Sequence, residues 1–473
     1  MKRFVLGLWR WLDERLGWSQ TLWPIVAHPV PRNINWWYVF GSATLVAFIM
    51  QVVTGVALAF TYVPAPISAY ESLQWITHQA LLGSVVRGIH YFGASAMVIL
   101  IVVHMIRTFL MGAYKFPREL NWLTGVLLFV LTLGMAFTGQ LLRWNQDAYW
   151  AVVVAAEQAA RVPLIGHILA YIVFAGPTVG GGTLTRFYAT HVFLLPALMF
   201  LLIGIHLYLV VRHGISEPPQ AGRPVDRATY QRWYQELLHR DGVPFWPEAA
   251  WRDLLFAIAV GAGVLVLAII VGPPDLGRPA DPTILQAYPR PDWYFLWYFA
   301  VLALIPPQLE SWVIVGFPLL VGLVLLLLPF VAPLGERSPI RRPWAVGVVG
   351  LALISVAALL HEGIRAPWSP ELPTAPLPAS VTASLQGSAQ QGAVVFQEKG
   401  CHNCHTIAGT GGQRGPDLTA IGRRLSRDQL IWRILYGGTN MPAYGANIQP
   451  DELAALVDFL MAQGGAVPSA AAR

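Results

Sequence analysis

Seven charge-free stretches of the 473-residue chain are long enough to cross a membrane. A bilayer core is about 30 Å thick and a helix rises about 1.5 Å per residue, so about 20 apolar residues suffice. Because lipid offers the backbone no hydrogen-bond partners, each stretch is expected to form an α-helix. The seven stretches are 33–70 (with one span near 38–60), 88–106, 120–142, 187–211, 254–274, 311–335 and 343–361.

The composition and the loop charges support an all-α, polytopic membrane protein. Only 12% of the residues are charged, and the mean hydropathy is +0.53, which excludes a disordered chain and argues strongly against a wholly soluble one. Seventeen Lys and Arg residues fall in the loops on the N-terminal side of the membrane and six on the other side. The positive-inside rule therefore predicts a cytoplasmic N-terminus, with the C-terminal part outside. The expected location is a bacterial cytoplasmic membrane. The net charge of +6 belongs to these loops, so no nucleic-acid partner is expected.

Changes in composition divide the chain into four units. Residues 366–384 are rich in Pro, Ala and Ser, which is typical of a stiff linker. Two further apolar windows, 162–185 and 293–309, are interrupted by Gly or Pro and are predicted to be surface or re-entrant segments. The predicted units are a four-helix bundle (1–215), a three-helix part (216–365), the linker (366–384) and a small α-helical domain (385–473).

The small C-terminal domain contains the attachment motif of a c-type haem. Both cysteines of the chain lie in Cys401-His402-Asn403-Cys404-His405, a CxxCH sequence in which the thiols bind the porphyrin and His405 is an axial ligand. A zinc site would need further ligands, and a thioredoxin-like dithiol would need a βαβ context. After the motif, Met441 precedes a predicted last helix (451–463), and Met441 is the candidate sixth ligand. The sequence predicts a class I-like cytochrome c domain with His/Met ligation.

Four histidines in the second and fourth spans form two matched pairs. His90 and His104 are 14 residues apart, and His191 and His206 are 15 apart. At about 100° per residue, each pair projects from roughly one helix face, separated by about 21–22 Å along the axis. The two spans run in the same direction, so His90 faces His191 and His104 faces His206. The alternative reading is a proton relay or ordinary core contacts, but two matched pairs predict two non-covalent bis-His haems of the b type.

Glycines and arginines near the histidines support the haem prediction. On the first and third spans, glycines recur with the 14-residue interval, which would let a haem approach the helix backbone. Arginines near the span ends could pair with haem propionates, or serve as interfacial anchors. The glycines are Gly41, Gly55, Gly125 and Gly139, and the arginines are Arg87, Arg107 and Arg186.

Several short stretches resemble the cytochrome b of cytochrome bc and plastid-type bf complexes. These are Lys115–Leu120, Leu184–Tyr188, and Gln51 with Thr54-Gly55. The resemblance covers about residues 20–361, with the b subunit and a subunit IV-like part fused and the c domain appended. It implies a subunit of a quinol–cytochrome c reductase, expected as a homodimer in a larger complex.

The resemblance also implies an electron path. Quinol is oxidised at the outer face, and one electron passes to a separate Rieske iron–sulfur protein, then to the c haem and a cytochrome c-type or oxidase acceptor. The other electron crosses through the two b haems to a quinone near the inner face, coupled to proton translocation.

Pro291-Asp292-Trp293-Tyr294 resembles the family's Pro-Glu-Trp-Tyr motif at the site of quinol oxidation. Quinol oxidation releases protons, so Asp292 is the candidate proton acceptor. Tyr294 could orient the quinol ring, and Tyr149 could line the same pocket. An Asp in this position resembles menaquinol-using complexes.

Two positions depart from the family pattern. Arg143 stands where the family usually has Pro, in the segment Leu142-Arg143-Trp144. Val39 stands where the plastid-type branch has the Cys that attaches an additional inner haem, so the attachment residue for an extra haem is missing here.

Two other functions stay open at this point. One is a dihaem b plus c electron conduit, or a dehydrogenase anchor, without its own quinol oxidation site. The other is a haem-free, proton-coupled transporter that uses the intramembrane histidines. The Pro-Asp-Trp-Tyr motif argues against the first, and the CxxCH motif argues against the second.

Overall fold

The structure is a computed structural model that describes most of the chain. Within the described residues, the side chains of Lys2, Arg3, Val5 and Pro307 are not described. Within the described residues, seven helices are long and apolar enough to cross a membrane, which confirms the predicted number and the helical fold class. The described residues are 2–21, 23–176, 179–281, 284, 289–365, 375–412, 415–437, 441, 443–445 and 447–464.

The first part of the chain contains four of the seven spans. Three helices and one strand precede them: α1 (Lys2–Leu16), α2 (Trp18–Thr21), α3 (Trp23–Val26) and β1 (Pro29–Pro31). Then follow α4 (Phe40–Ala59), α5 (Ala69–His78), α6 (Gly83–Leu110), α7 (Glu119–Leu141), α8 (Gln146–Ala160), α9 (Gly166–Phe174), α10 (Gly181–Ala189) and α11 (Leu195–His213). The spans are α4, α6, α7 and the continuous segment formed by α10 and α11. Because α4 packs on α6, and α7 on α11, they form a bundle.

One π-helical turn, Thr190–Leu194, joins α10 to α11 and contains His191. Pro196 follows in the first turn of α11 and has no N–H to donate to the carbonyl four residues earlier. A π turn absorbs one extra residue in a helix, so it changes the direction of the side chains on either side of it.

The second part contributes the remaining three spans. Its elements are α12 (Tyr230–Asp241), β2 (Gly242–Pro244), a π turn (Phe245–Ala249), α13 (Ala250–Ile270), α14 (Trp293–Leu304), α15 (Pro307–Val331) and α16 (Pro343–Arg365). Strand β2 pairs antiparallel with β1, with Val30 opposite Val243. Helix α13 packs on α4 and α6, and α14 packs on α16. The window 293–309 begins with α14, which has 12 residues, and 162–185 contains α9, which has nine, so both are too short to span a membrane as straight helices.

Residues 375–464 contain a separate small core. Its elements are α17 (Ala379–Thr382), α18 (Ser388–Glu398), β3 (Thr406–Ile407), β4 (Thr410–Gly411), α19 (Ile421–Arg424), α20 (Arg427–Tyr436) and α21 (Pro450–Ala462). Helices α18 and α21 cross at Gly392, where a Cβ would lie 1.9 Å from the carbonyl oxygen of Ala455. The rings of Phe396 and Phe459 pack beside this crossing, with centroids 5.4 Å apart.

The end of the predicted linker differs from its expected extended form. Residues 366–374 lie outside the described residues. Leu377 is only 7% exposed and belongs to the core of the small domain, and α17 is helical. The described end of the predicted linker therefore packs with the C-terminal domain.

We call the end of the bundle that carries the loop between α13 and α14 the outer end, and the opposite end the inner end. This loop is held on α8, because Gln146 Nε2 donates to the carbonyl of Asp281 at 2.9 Å. The C-terminal domain contacts the same loop, where Asn447 Nδ2 donates to Asp281 Oδ1 at 2.7 Å.

Candidate functional site

The fold brings together the two histidine pairs in the bundle. The ring centroids of His90 and His191 are 6.4 Å apart, with an angle of 76° between the ring planes. Two axial imidazoles on one metal have ring centres about 6 Å apart, since each metal–nitrogen bond is about 2 Å. His104 and His206 lie close enough to interact electrostatically. The spacing at the outer pair therefore fits one metal between two imidazoles.

Threonine hydroxyls orient three of the four histidines. Each hydroxyl lies 2.9–3.0 Å from the Nδ1 of one ring and donates its own proton to the carbonyl four residues earlier. Since that proton is used, the ring must donate its Nδ1–H, which leaves Nε2 free to bind a metal. The pairs are Thr54 with His90, Thr124 with His206, and Thr138 with His191.

Each of the four predicted glycines lies against a different histidine. A Cβ on Gly139 would lie 2.6 Å from His191 Cε1, and a Cβ on Gly41 would lie 3.0 Å from His104 Cε1. The corresponding distances are 3.2 Å for Gly55 to His90 and 3.7 Å for Gly125 to His206. Because the glycines have no Cβ, each histidine ring lies directly against the backbone of the neighbouring helix. This close approach leaves room for a flat macrocycle between the helices.

The arginines differ in how well they fit haem propionates. Arg107 is buried, and its Nε and Nη2 have no hydrogen-bond partner among the described residues, so it could receive an anionic group near the inner pair. Arg87 is engaged in the outer loop, since it donates to Thr77 Oγ1 and to the carbonyl of Pro274. Arg186 is exposed and donates to the carbonyl of Ile172. Of the three, Arg107 has the geometry that suits a propionate.

Replacing Thr138 with valine is expected to weaken haem binding at the outer pair. The change removes the acceptor that orients His191, and losing such a partner typically costs about 10–100-fold in metal affinity. Haem titration of the purified apoprotein measures the effect. The matched control is Thr132→Val, because Thr132 lies on the same helix and its hydroxyl donates to the carbonyl of Leu128. Equal affinities in both variants would contradict the role of Thr138.

The C-terminal motif forms a compact turn that could hold a haem. Residues Cys401–Asn403 form one 3₁₀ turn, and His405 Nδ1 donates to the carbonyl of Pro416 at 2.8 Å. Burial lowers the pKa of His405, which keeps its ring neutral with Nε2 available as a ligand. Met441 packs against the same small core as Cys401. These donors fit a His/Met-ligated c-type haem.

At the outer end, Asp292 lies immediately before α14 and accepts a hydrogen bond from the Tyr294 hydroxyl at 2.7 Å. Burial and the charge of Asp292 raise the pKa of Tyr294, so the phenol keeps its proton. Trp293 Nε1 donates to Ser95 Oγ at 3.3 Å, which links the motif to α6. Pro291, which directly precedes Asp292, is partly buried. The motif thus presents a fixed carboxylate next to the bundle.

Tyr149 lies in a buried cluster at the outer end. It packs with Leu141, Trp144 and Phe174, and burial together with the nearby Asp281 raises its pKa. Asp281 belongs to the loop that contacts the C-terminal domain, so Tyr149 lies next to this loop. Its predicted role in lining the pocket around Asp292 therefore rests on the sequence alone.

An open, largely apolar cleft of about 430 Å³ lies between α8, α14 and α15. Tyr298, one helical turn after Tyr294, contributes to it. One wall of this open cleft is therefore formed by the helix that begins with the motif.

Sequence reasoning missed the three threonines as a set, although the signal was present. Each one directly precedes a predicted glycine, as Thr54-Gly55, Thr124-Gly125 and Thr138-Gly139. It also missed Gln140, because a glutamine at a helix end has no distinctive pattern.

Comparison with known proteins identifies relatives of each part of the chain. Residues 25–214 match the family Cytochrome b/b6/petB, and residues 279–377 match Cytochrome b(C-terminal)/b6/petD. Residues 387–460 match Cytochrome C oxidase, cbb3-type, subunit III. The matches imply b-type and c-type haems.

The chain is 32% identical to cytochrome b of Allochromatium vinosum, over 74% of this chain and 87% of that protein. It is 43% identical to cytochrome b6 of Heliobacterium modesticaldum, over 44% of this chain and 99% of that protein. A solved structure titled "Hyperthermophilic respiratory Complex III" is similar, with a TM-score of 0.65 and 30% identity, over 76% of this chain and 91% of that chain.

Proposed function

Because this chain belongs to the cytochrome b family, we propose that it is the electron-transfer subunit of a quinol–cytochrome c reductase that oxidises quinol, with menaquinol as the preferred substrate, at its outer end. Membership makes it a cytochrome b of the bc/b6f type, active in electron transfer. The proposal depends most on one observation, the proximity of Asp292 to the outer histidine pair. Gln140 lies within hydrogen-bond distance of Asp292, and its neighbour Gly139 contacts His191.

The residues around Asp292 suit the removal of protons from a quinol. Oxidation of one quinol releases two electrons and two protons, so a carboxylate at the site can take one proton from a quinol hydroxyl. Tyr294 donates to Asp292 and holds the carboxylate in place. The open apolar cleft beside Tyr298 could receive the lipid tail of a quinol whose ring lies at the motif.

When bound, each haem would carry one electron at a time, with two haems in the bundle and one in the C-terminal domain. His90 with His191, and His104 with His206, hold the two b haems. Cys401, Cys404, His405 and Met441 hold the c haem. The c domain meets the outer loop at Asp281, so it lies on the side of the membrane where quinol is oxidised.

The proposal includes partners that this chain needs for turnover. Both cysteines lie in the CxxCH motif, so a Rieske iron–sulfur protein must be a separate chain. A cytochrome c-type protein or an oxidase receives the electrons, and the complex is a homodimer in a bacterial cytoplasmic membrane with the N-terminus of each chain inside.

A reduced-minus-oxidised spectrum of the purified chain, with quantified haems, tests the cofactor assignment. We expect two b-type haems for each c-type haem in the chain. In the intact complex, where an oxidised Rieske protein takes the first electron, we expect reduction of b haem on addition of a menaquinol analogue. A preparation with c haem and no b haem would contradict the bis-His sites. Two b haems that no quinol reduces would favour a passive electron conduit.

A further inference from the structure

Arg143 is linked to Asp292 through the side chain of Gln140. In the amide orientation that satisfies both neighbours, Gln140 donates from its nitrogen to Asp292 Oδ2 at 2.9 Å. Its amide oxygen accepts from Arg143 Nη2 at 3.1 Å. Arg143 Nε also donates to the backbone carbonyl of Gln140 at 3.3 Å. A guanidinium, an amide and a carboxylate therefore form one hydrogen-bonded row.

The donors to Asp292 converge on one oxygen. Tyr294 and Gln140 both donate to Oδ2, from α14 and from the last turn of α7. Tyr91 on α6 also interacts electrostatically with Asp292, and Arg143 is the cation that acts on this group of side chains. Two donors from different helices hold Oδ2 and fix the plane of the carboxylate.

The intervening amide has a physical consequence. A hydrogen bond to a charged group is about twice as strong as a neutral one, and hydrogen bonds in a row polarise one another. Arg143 therefore strengthens the bond from Gln140 to Asp292. A direct ion pair would hold the carboxylate more firmly but would also compete with the proton it must accept, and the amide avoids this competition.

We propose that Arg143 is a positioning residue for quinol oxidation, which acts through Gln140 to hold Asp292 in the orientation that accepts a proton. This inference rests on the proposed function of Asp292. Arg143 stands where the family pattern has Pro, and Pro has no side-chain donor for this row.

A purely structural role for Arg143 is the main alternative. A cation near a helix C-terminus stabilises the helix, and Arg143 follows the end of α7. If Arg143 only stabilises the helix, replacing it lowers activity by the same factor whether or not residue 292 can accept a proton. The coupling between Arg143 and Asp292 therefore separates the two explanations.

The test compares Arg143→Gln, Arg143→Lys, Asp292→Asn and the double variant, in the intact complex with its haems quantified. We expect Arg143→Gln to lower kcat about 10-fold, the lower end of the range for losing a supporting hydrogen bond, with KM nearly unchanged. Arg143→Lys should restore most of the activity. In the Asp292→Asn background, Arg143→Gln should have no further effect. Arg278→Gln is the control, because it removes the same charge from an exposed outer position.

The other outcomes separate the two proposals. An unchanged kcat in Arg143→Gln, or an equal loss in both backgrounds, overturns the inference about Arg143 while leaving the function of Asp292 intact. Full activity of Asp292→Asn overturns the proposed role of Asp292 and the inference together.

Discussion

Replacing His191 with leucine is expected to reduce the b-haem content from two per chain to one and to abolish turnover with quinol. The change removes one of two imidazoles whose ring centres are 6.4 Å apart, and a single imidazole cannot provide both axial ligands. His206→Leu should remove the other b haem, leaving the outer one. Optical quantification of b and c haems, followed by quinol oxidation assays, measures both effects.

His361→Leu is the matched control for these variants. His361 lies in the membrane-spanning helix α16, and its side chain is exposed at the surface of the structure. Its replacement should preserve both b haems and the turnover rate. Retention of two b haems in His191→Leu would show that this histidine is not a ligand.

Replacing Asp292 with asparagine is expected to lower kcat for quinol oxidation by about 10²–10⁴-fold, the usual contribution of general acid–base catalysis. Asparagine has nearly the same shape and can still accept a hydrogen bond from Tyr294, but its amide cannot take up a proton near neutral pH. The haem spectra should stay unchanged, because residue 292 is not a haem ligand. Steady-state assays over a range of quinol concentrations separate kcat from KM.

Asp275→Asn controls for the loss of a carboxylate at the outer end. Asp275 is exposed in the loop after α13 and accepts from the backbone N–H of Gly277. Its removal should leave turnover unchanged. A fully active Asp292→Asn variant would mean that another group accepts the proton.

Much of the fold could be predicted because membrane insertion imposes simple rules on the sequence. A span must be apolar over about 20 residues, so its position is visible without knowledge of its neighbours. The two windows predicted not to span contain α9 and α14, which are short for the same reason. The end of the predicted linker was less visible, because the packing of Leu377 depends on a core formed by distant residues.

The candidate site was predictable where helical periodicity determines direction. The intervals between His90 and His104, and between the glycines, already place these residues on common faces. The role of the threonine hydroxyls was marked only by the position of each threonine before a glycine, and the row from Arg143 to Asp292 had no signal in the sequence. Each depends on the distance between side chains from two or three helices.

The sequence by itself determined the number of spans, the paired histidines and the CxxCH motif, because length, periodicity and covalent spacing act within one segment. Only the tertiary structure decided which groups meet Asp292, and that Arg87 and Arg186 donate to backbone carbonyls. Hydrogen bonds require donor and acceptor within about 3 Å and suitable angles. Such contacts between distant segments are set by how the helices pack.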